Sequence, residues 1–130
     1  MYSKTTNGVT VTVIPYFLED QSSPQEDHYV WAYQVNIRNT SSNTIKLNNR
    51  NWVIIDANGK IMNIQGEGVV GEFPVLHPGE SFEYTSGTPL KTSNGFMQGF
   101  YMMSQNNGEQ LKIDIPTFSL DSPYGKKNLH

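Results

Sequence analysis

Gly66, Gly68 and Gly71, in the run Gly-Glu-Gly-Val-Val-Gly, reproduce the G-x-G-x-x-G spacing that cradles a dinucleotide pyrophosphate. That chemistry needs a strand ending in the motif and a helix beginning inside it, so that the helix N–H groups and dipole meet the phosphates. Here Gly71 is followed by Glu72, Phe73 and Pro74, then by Pro78-Gly79, which leaves no room for three helical turns. Two uses remain: backbone geometry that a Cβ would forbid, or a nest of N–H groups holding an anion. Glu67 and Glu72 oppose the second, since two unit charges about 4 Å apart interact by roughly 4 kcal/mol at an effective dielectric of 20. Arg50 or Lys60 could offset them, although nothing in the sequence places either there. Two glutamates are too few for a divalent-cation site and are expected to be solvated. His28, His77 and the terminal His130 show no zinc-ligand spacing. Ser86, in Tyr-Thr-Ser-Gly, lacks a G-x-S-x-G elbow, and Thr85, Ser86 and Gly87 are expected in a turn or at a strand end. Asp56 and Asp114 occupy alternate strand positions where solvent-facing carboxylates are expected. No catalytic residue, metal ligand or cofactor is therefore expected.

The elements that position these residues are strands. The apolar period is two almost throughout, and no 11-residue window carries a helical stripe. Tyr29, Trp31, Tyr33, Val35 and Ile37 line one face of a strand whose other face carries Gln34, Asn36 and Arg38; further strands are expected at 45–47, about Trp52–Asp56, about Phe82–Tyr84, at Gly95–Ser104 and at Leu111–Leu120. Asn58-Gly59 and Asn107-Gly108 are expected to turn hairpins, and Pro78-Gly79 suits the centre of a type II turn. The apolar phase shifts by one past Pro15 and again past Pro116. The first and last strands are thus expected to be edge strands that bulge or break at these prolines. Strands about every ten residues predict an all-β sandwich of two antiparallel sheets.

The 130 residues suit one domain, with a core over about 8–120 and a flexible tail over 121–130. The chain has no cysteine, which fits a reducing cytoplasm. The first eighteen residues do not read as a signal peptide, and no run of about 18 apolar residues exists to span a membrane. Nine Lys+Arg against twelve Asp+Glu give a net charge of -3, with the basic residues scattered, so nucleic acid is not the expected partner. Six Phe, seven Tyr and two Trp are more than a small core requires, which suits an exposed face or edge that receives a partner by strand addition.

Residues 22–39, 52–60, 65–101 and 113–120 together resemble the ApaG family. The resemblance rests on Gln-Gly-Glu-Gly-Val-Val-Gly, then Pro-Gly-Glu, Tyr-Thr-Ser-Gly and Gly-x-Met-x-Gly-x-Tyr, in that order. It implies an immunoglobulin or fibronectin type III-like β-sandwich. It also implies an association with cobalt resistance and magnesium efflux, and gene neighbourhood with a diadenosine tetraphosphate hydrolase whose chemistry belongs to a different protein. In eukaryotes, similar domains appended to an F-box protein and to a polymerase-delta-interacting protein look like interaction modules. The family's glycine signature, suggested to bind nucleotide or pyrophosphate, falls here on Gly66, Gly68 and Gly71. The expected function is a non-catalytic module that binds a protein partner, linked to cobalt and magnesium homeostasis. The alternative is binding of pyrophosphate or a nucleotide such as diadenosine tetraphosphate, with Gly66, Glu67, Gly68, Gly71, Thr85, Ser86 and Gly87 as candidate contacts.

Overall fold

Alternation of side chains makes the two sheets. On β3 (Tyr29–Asn39), Tyr29, Trp31, Tyr33, Val35 and Ile37 are all buried, and the residues between them face outward, as a period of two requires. In the computed structural model, which describes residues 1–124, β3 lies inside a four-stranded sheet. It is flanked by β2 (Val9–Phe17), with β1 (Tyr2–Thr6) beyond that, and on its other side by β7 (Ser81–Leu90). The second sheet has the order β5 (Ile61–Glu67), β4 (Ile45–Asp56), β8 (Asn94–Gln105) and β9 (Gln110–Asp121). A short β6 (Val75–Leu76) continues the line of β5 along β4. Every ladder is antiparallel, and the two sheets form a β-sandwich of the immunoglobulin or fibronectin type III-like kind.

The core between the sheets is aromatic at its centre. Trp52 meets Tyr33, Tyr101 and Phe118 with ring centroids 5.2, 6.5 and 6.0 Å apart. The Tyr101 and Met103 side chains point inward from β8, fully buried, while Phe100 turns outward beneath Lys112, whose ammonium lies 4.5 Å from its ring centre.

The turns follow the glycines, though not always as the sequence suggests. Pro78-Gly79 centres a turn closed by Glu80 N–H to His77 O at 3.0 Å, with φ +88° at Gly79, the type II geometry expected. At Asn58-Gly59 only Gly59 has positive φ, so the loop has three residues: a turn through Ala57 and Asn58, closed by Gly59 N–H to Asp56 O, then a left-handed glycine. Asn107-Gly108 behaves likewise, with Gly108 N–H bonded to Gln105 O. The two-residue hairpin with both φ angles positive is Asn7-Gly8, which joins β1 to β2.

The two prolines part company. β9 is an outermost strand and bulges as expected: two residues, Pro116 and Thr117, stand opposite Gln98, and the buried face changes phase from Ile113 and Ile115 to Phe118 and Leu120. The expectation for Pro15 is corrected. β1 covers the outer side of β2 up to Val13, and the ladder with β3 runs unbroken through Pro15↔Tyr33 to Phe17↔Trp31. No bulge forms there, because β1 ends before Pro15 and the missing N–H falls on an edge with no partner. Tyr16 is simply an exposed aromatic, and Phe17 keeps the phase by packing on Trp31.

Residues 121–124 of the expected tail pack onto the sandwich. Asp121 ends β9, Ser122 N–H bonds Ser93 O, and Tyr124 packs against Phe17 and Tyr29 while its hydroxyl donates to Glu19. Residues 125–130 of that expected tail lie outside the described residues.

Candidate functional site

Both sheets end on the same flank of the sandwich, one in β5 and the other in β7, and the glycine motif sits there. Arg50, Trp52 and Ile54 share the inward face of β4 and pair with Gly66, Ile64 and Met62 of β5. Gly66 is what admits the arginine, since a Cβ there would stand 2.6 Å from Arg50 Cζ. The guanidinium lies across the strand, and its Nη1 donates to the carbonyl oxygens of Glu67 and Gly68, both at 2.9 Å.

The chain then turns back on itself. Gly68 N–H donates to Asn48 O at 2.8 Å, and Val69 and Glu72 exchange two backbone bonds of 2.9 Å around a type I′ turn, with φ +45° at Val70 and +79° at Gly71. Val69 is fully buried and plugs the gap between the sheets. A β-branched residue at positive φ is a genuine outlier, storing on the order of 1–3 kcal/mol that the surrounding bonds must offset. A Cβ at Gly68 would lie 2.2 Å from Glu72 O, so any side chain there breaks the turn. The motif's neighbourhood holds no helix; β6 follows instead. The N–H groups of Gly68, Val69 and Glu72 are committed to backbone oxygens, so they do not form the anion-holding row that the spelling suggests.

Behind the turn is a cavity of about 290 Å³ lined by Arg50, Tyr33, Tyr84, Ser86, Glu67 and Val69, among others. Glu67, Gly71 and Ser86 of the expected set meet there, with Gly66 and Gly68 beside the guanidinium. Thr85 and Gly87 alternate away from Tyr84 and Ser86, onto the outer face of β7. The turn or strand-end role expected for Thr85, Ser86 and Gly87 is corrected: the ladder to β3 runs unbroken from Arg38↔Ser81 to Tyr29↔Leu90, and the three lie mid-strand.

Burial raises the hydroxyl pKa of Tyr33, Tyr84 and Tyr101, while Arg50 pulls each partly back. The Tyr84 and Tyr101 hydroxyls bond each other at 2.5 Å, which favours the proton-bearing pair further at Tyr101. The folded pKa values exceed the unfolded value near 10, so the stabilisation is complete below about pH 10 and fades above it. The unfolding free energy read from denaturant curves is expected to fall above pH 10 by up to about 1.4 kcal/mol per pH unit for each such tyrosine. A Tyr84→Phe chain should show a shallower alkaline slope; an unchanged slope would contradict this account.

The other sequence candidates stay apart. Asp56 Oδ1 accepts from Asn58 and Lys60 N–H, Asp114 pairs with Lys4 at 3.2 Å, and His77 Nδ1 lies 3.1 Å from Thr44 Oγ1. His28 is exposed, and His130 lies outside the described residues. Among the described residues no three His, Asp or Glu side chains gather as a metal site, and no helix is long and apolar enough to cross a membrane.

Next along the flank is a second hollow of about 280 Å³, apolar, formed by Ile54, Met62, Pro89 and Leu90 with Lys60, Lys91 and His28 among its other residues. β5 beside it is an unusual edge. Ile61, Met62 and Ile64 are 58%, 37% and 39% exposed, and neither a charge nor a proline occurs from Ile61 to Gly66. β7, by contrast, carries Pro89 on its own edge. The sequence names Arg50 as a possible counter-charge to Glu67 and Glu72 but does not place it, because its inward phase depends on a register shift between Leu47 and Asn49 that nothing local announces. Its shared parity with Trp52 and Ile54 was the available signal.

Comparison with known proteins agrees with this architecture. The model of the ApaG domain matches residues 19–105. Protein ApaG of Paramagnetospirillum magneticum is 54% identical over 130 residues, all of both chains, and Protein ApaG of Brucella canis is 52% identical over the same span. The crystal structure of the protein described as ApaA from Bordetella pertussis superposes with a TM-score of 0.86 at 43% identity, covering 88% of this chain and 94% of that one.

Proposed function

The chain belongs to the ApaG domain family, and from that premise we propose that it is a non-catalytic β-sandwich module whose β5 edge binds a partner protein. One observation carries this: an edge strand with no charge or proline from Ile61 to Gly66, which leaves Ile61, Met62 and Ile64 partly exposed and its outer backbone groups without a neighbouring strand. Such an edge is a template for strand addition, and natural proteins guard it unless it is used. Phe73 and Val75, 46% and 50% exposed, extend the apolar border past the glycine turn. Non-catalytic action is supported by the separation of Asp56, Asp114 and His77 into structural bonds. The tie to cobalt and magnesium homeostasis acts in this proposal through the partner, and the place of action is the cytoplasm.

A photoreactive residue at Asn63, in the middle of β5, should give a discrete protein adduct in cells that the same residue at Ser3 on β1 does not. The partner so identified, once purified, should bind an Ile61→Lys/Ile64→Lys chain at least tenfold more weakly. Equal adducts from both positions, or full affinity in the double variant, would sink the proposal.

A phosphate-containing small ligand is a second function with an observation of its own, the cavity lined by Arg50 together with Tyr33, Tyr84 and Ser86. Here the guanidinium, and not the glycine N–H groups, would hold pyrophosphate or diadenosine tetraphosphate. Calorimetric binding lost in Arg50→Gln would favour it. A Gly68→Val chain would not discriminate, because the substitution breaks the turn whether or not a ligand is held.

A further inference from the structure

Resting on the β5-edge proposal, we infer that the partner segment is an extended, acidic one: a strand carrying a carboxylate side chain and, four residues later, an apolar side chain. The two hollows on the flank supply the recognition. One contains Arg50, a half-buried cation that forms no ion pair among the described residues and spends its Nη1 on two carbonyl oxygens. Half-buried charge outside an ion pair is unfavourable, the Glu67 carboxylate lines the same space without pairing to Arg50, and a fork of N–H donors takes a carboxylate more strongly than any neutral acceptor. The Ser86 hydroxyl, on the facing strand β7, lines the same space and hydrogen-bonds Tyr33 there. The other hollow is formed by Ile54, Met62 and Leu90 and suits a leucine-sized group.

The spacing follows from the strand that floors both. Arg50 and Ile54 lie on the same face of β4, four residues apart, about 13 Å at roughly 3.3 Å per residue. A strand laid along β5 turns every second side chain toward this flank, so positions i and i+4 reach the two hollows. Antiparallel addition to β5 runs in the direction of β4 and puts the acid first. A free phosphate would use Arg50 and leave the apolar hollow and the bare edge unexplained; an extended peptide uses all three.

The probe is a labelled nine-residue peptide of threonine and serine with glutamate third and leucine seventh, followed by fluorescence anisotropy. Replacing its glutamate by glutamine, or its leucine by serine, should weaken binding at least tenfold, and raised salt should weaken only the glutamate form. In an Arg50→Gln chain, checked for a native thermal transition, the glutamate and glutamine peptides should bind alike; Arg50→Lys should retain part of the preference. Equal binding of both peptides to the parent chain, or a preference that survives Arg50→Gln, overturns the inference. Failure of every peptide while the Asn63 adduct still forms overturns it too, but leaves the β5-edge proposal standing, whereas loss of that adduct removes both.

Discussion

A Trp52→Ala chain is expected to unfold about 3–5 kcal/mol more readily than the parent, the range for truncating a large buried aromatic. Trp52 is 3% exposed, and it is the one ring that touches Tyr33 of the first sheet and both Tyr101 and Phe118 of the second. Removing it therefore opens a void between the sheets, which close packing on three sides prevents from collapsing. The loss should appear in chemical denaturation as a lower midpoint at nearly unchanged slope, and thermally as a drop on the order of 10 °C. Trp52→Phe, which keeps a ring in place, should recover more than half. A Trp52→Ala loss under 1 kcal/mol would mean that the two sheets are not held together where the rings meet.

Gly99→Ala should be nearly as damaging, for a different reason. Gly99 pairs with Trp52 in the central ladder between β4 and β8, and a Cβ there would stand 2.1 Å from Asn51 O and 3.2 Å from Trp52 Cα. Backbone cannot give way as a flexible side chain can, so the two strands must separate or shift register. A loss of about 3 kcal/mol, the upper end for overpacking, is expected. Gly59→Ala is the control: its φ is +81° and nothing lies within 4 Å, so only backbone strain of about 1–2 kcal/mol applies. A loss at Gly99 no larger than that at Gly59 would show that the two strands absorb the collision without parting.

Strong alternation made most of the fold readable in advance. β3 buries five aromatic or branched side chains at every second position, and β9 announced its bulge by a phase change at Pro116. β1 was missed because Ser3, Lys4 and Thr5 are exposed and carry no apolar period; its signal was Asn7-Gly8 alone. β7 looked broken at Thr85-Ser86-Gly87 because local propensity there is weak, and the ladder from β3 overrides it. In the site, the glycines were visible while their purpose was not. Gly66 serves the guanidinium of Arg50 on the neighbouring strand, and Gly68 serves a carbonyl across the turn, facts that no local pattern carries. The same limit left Arg50 named but unplaced, since its role exists only once β4 and β5 are paired.

The two flanks of the sandwich differ, and that difference sets a valence. On one side β1 lies against β9, fastened by Lys4–Asp114 at 3.2 Å, by Tyr2 on Phe118 and by Thr6 Oγ1 accepting from Asp114 N–H. On the other, β5 stands bare. A sheet open at both ends can grow by repeated addition, whereas one with a single usable edge is filled by one strand and then stops. Under the strand-addition proposal the molecule would take one strand at β5, and the side-chain ties between β1 and β9 would oppose extension on that opposite flank.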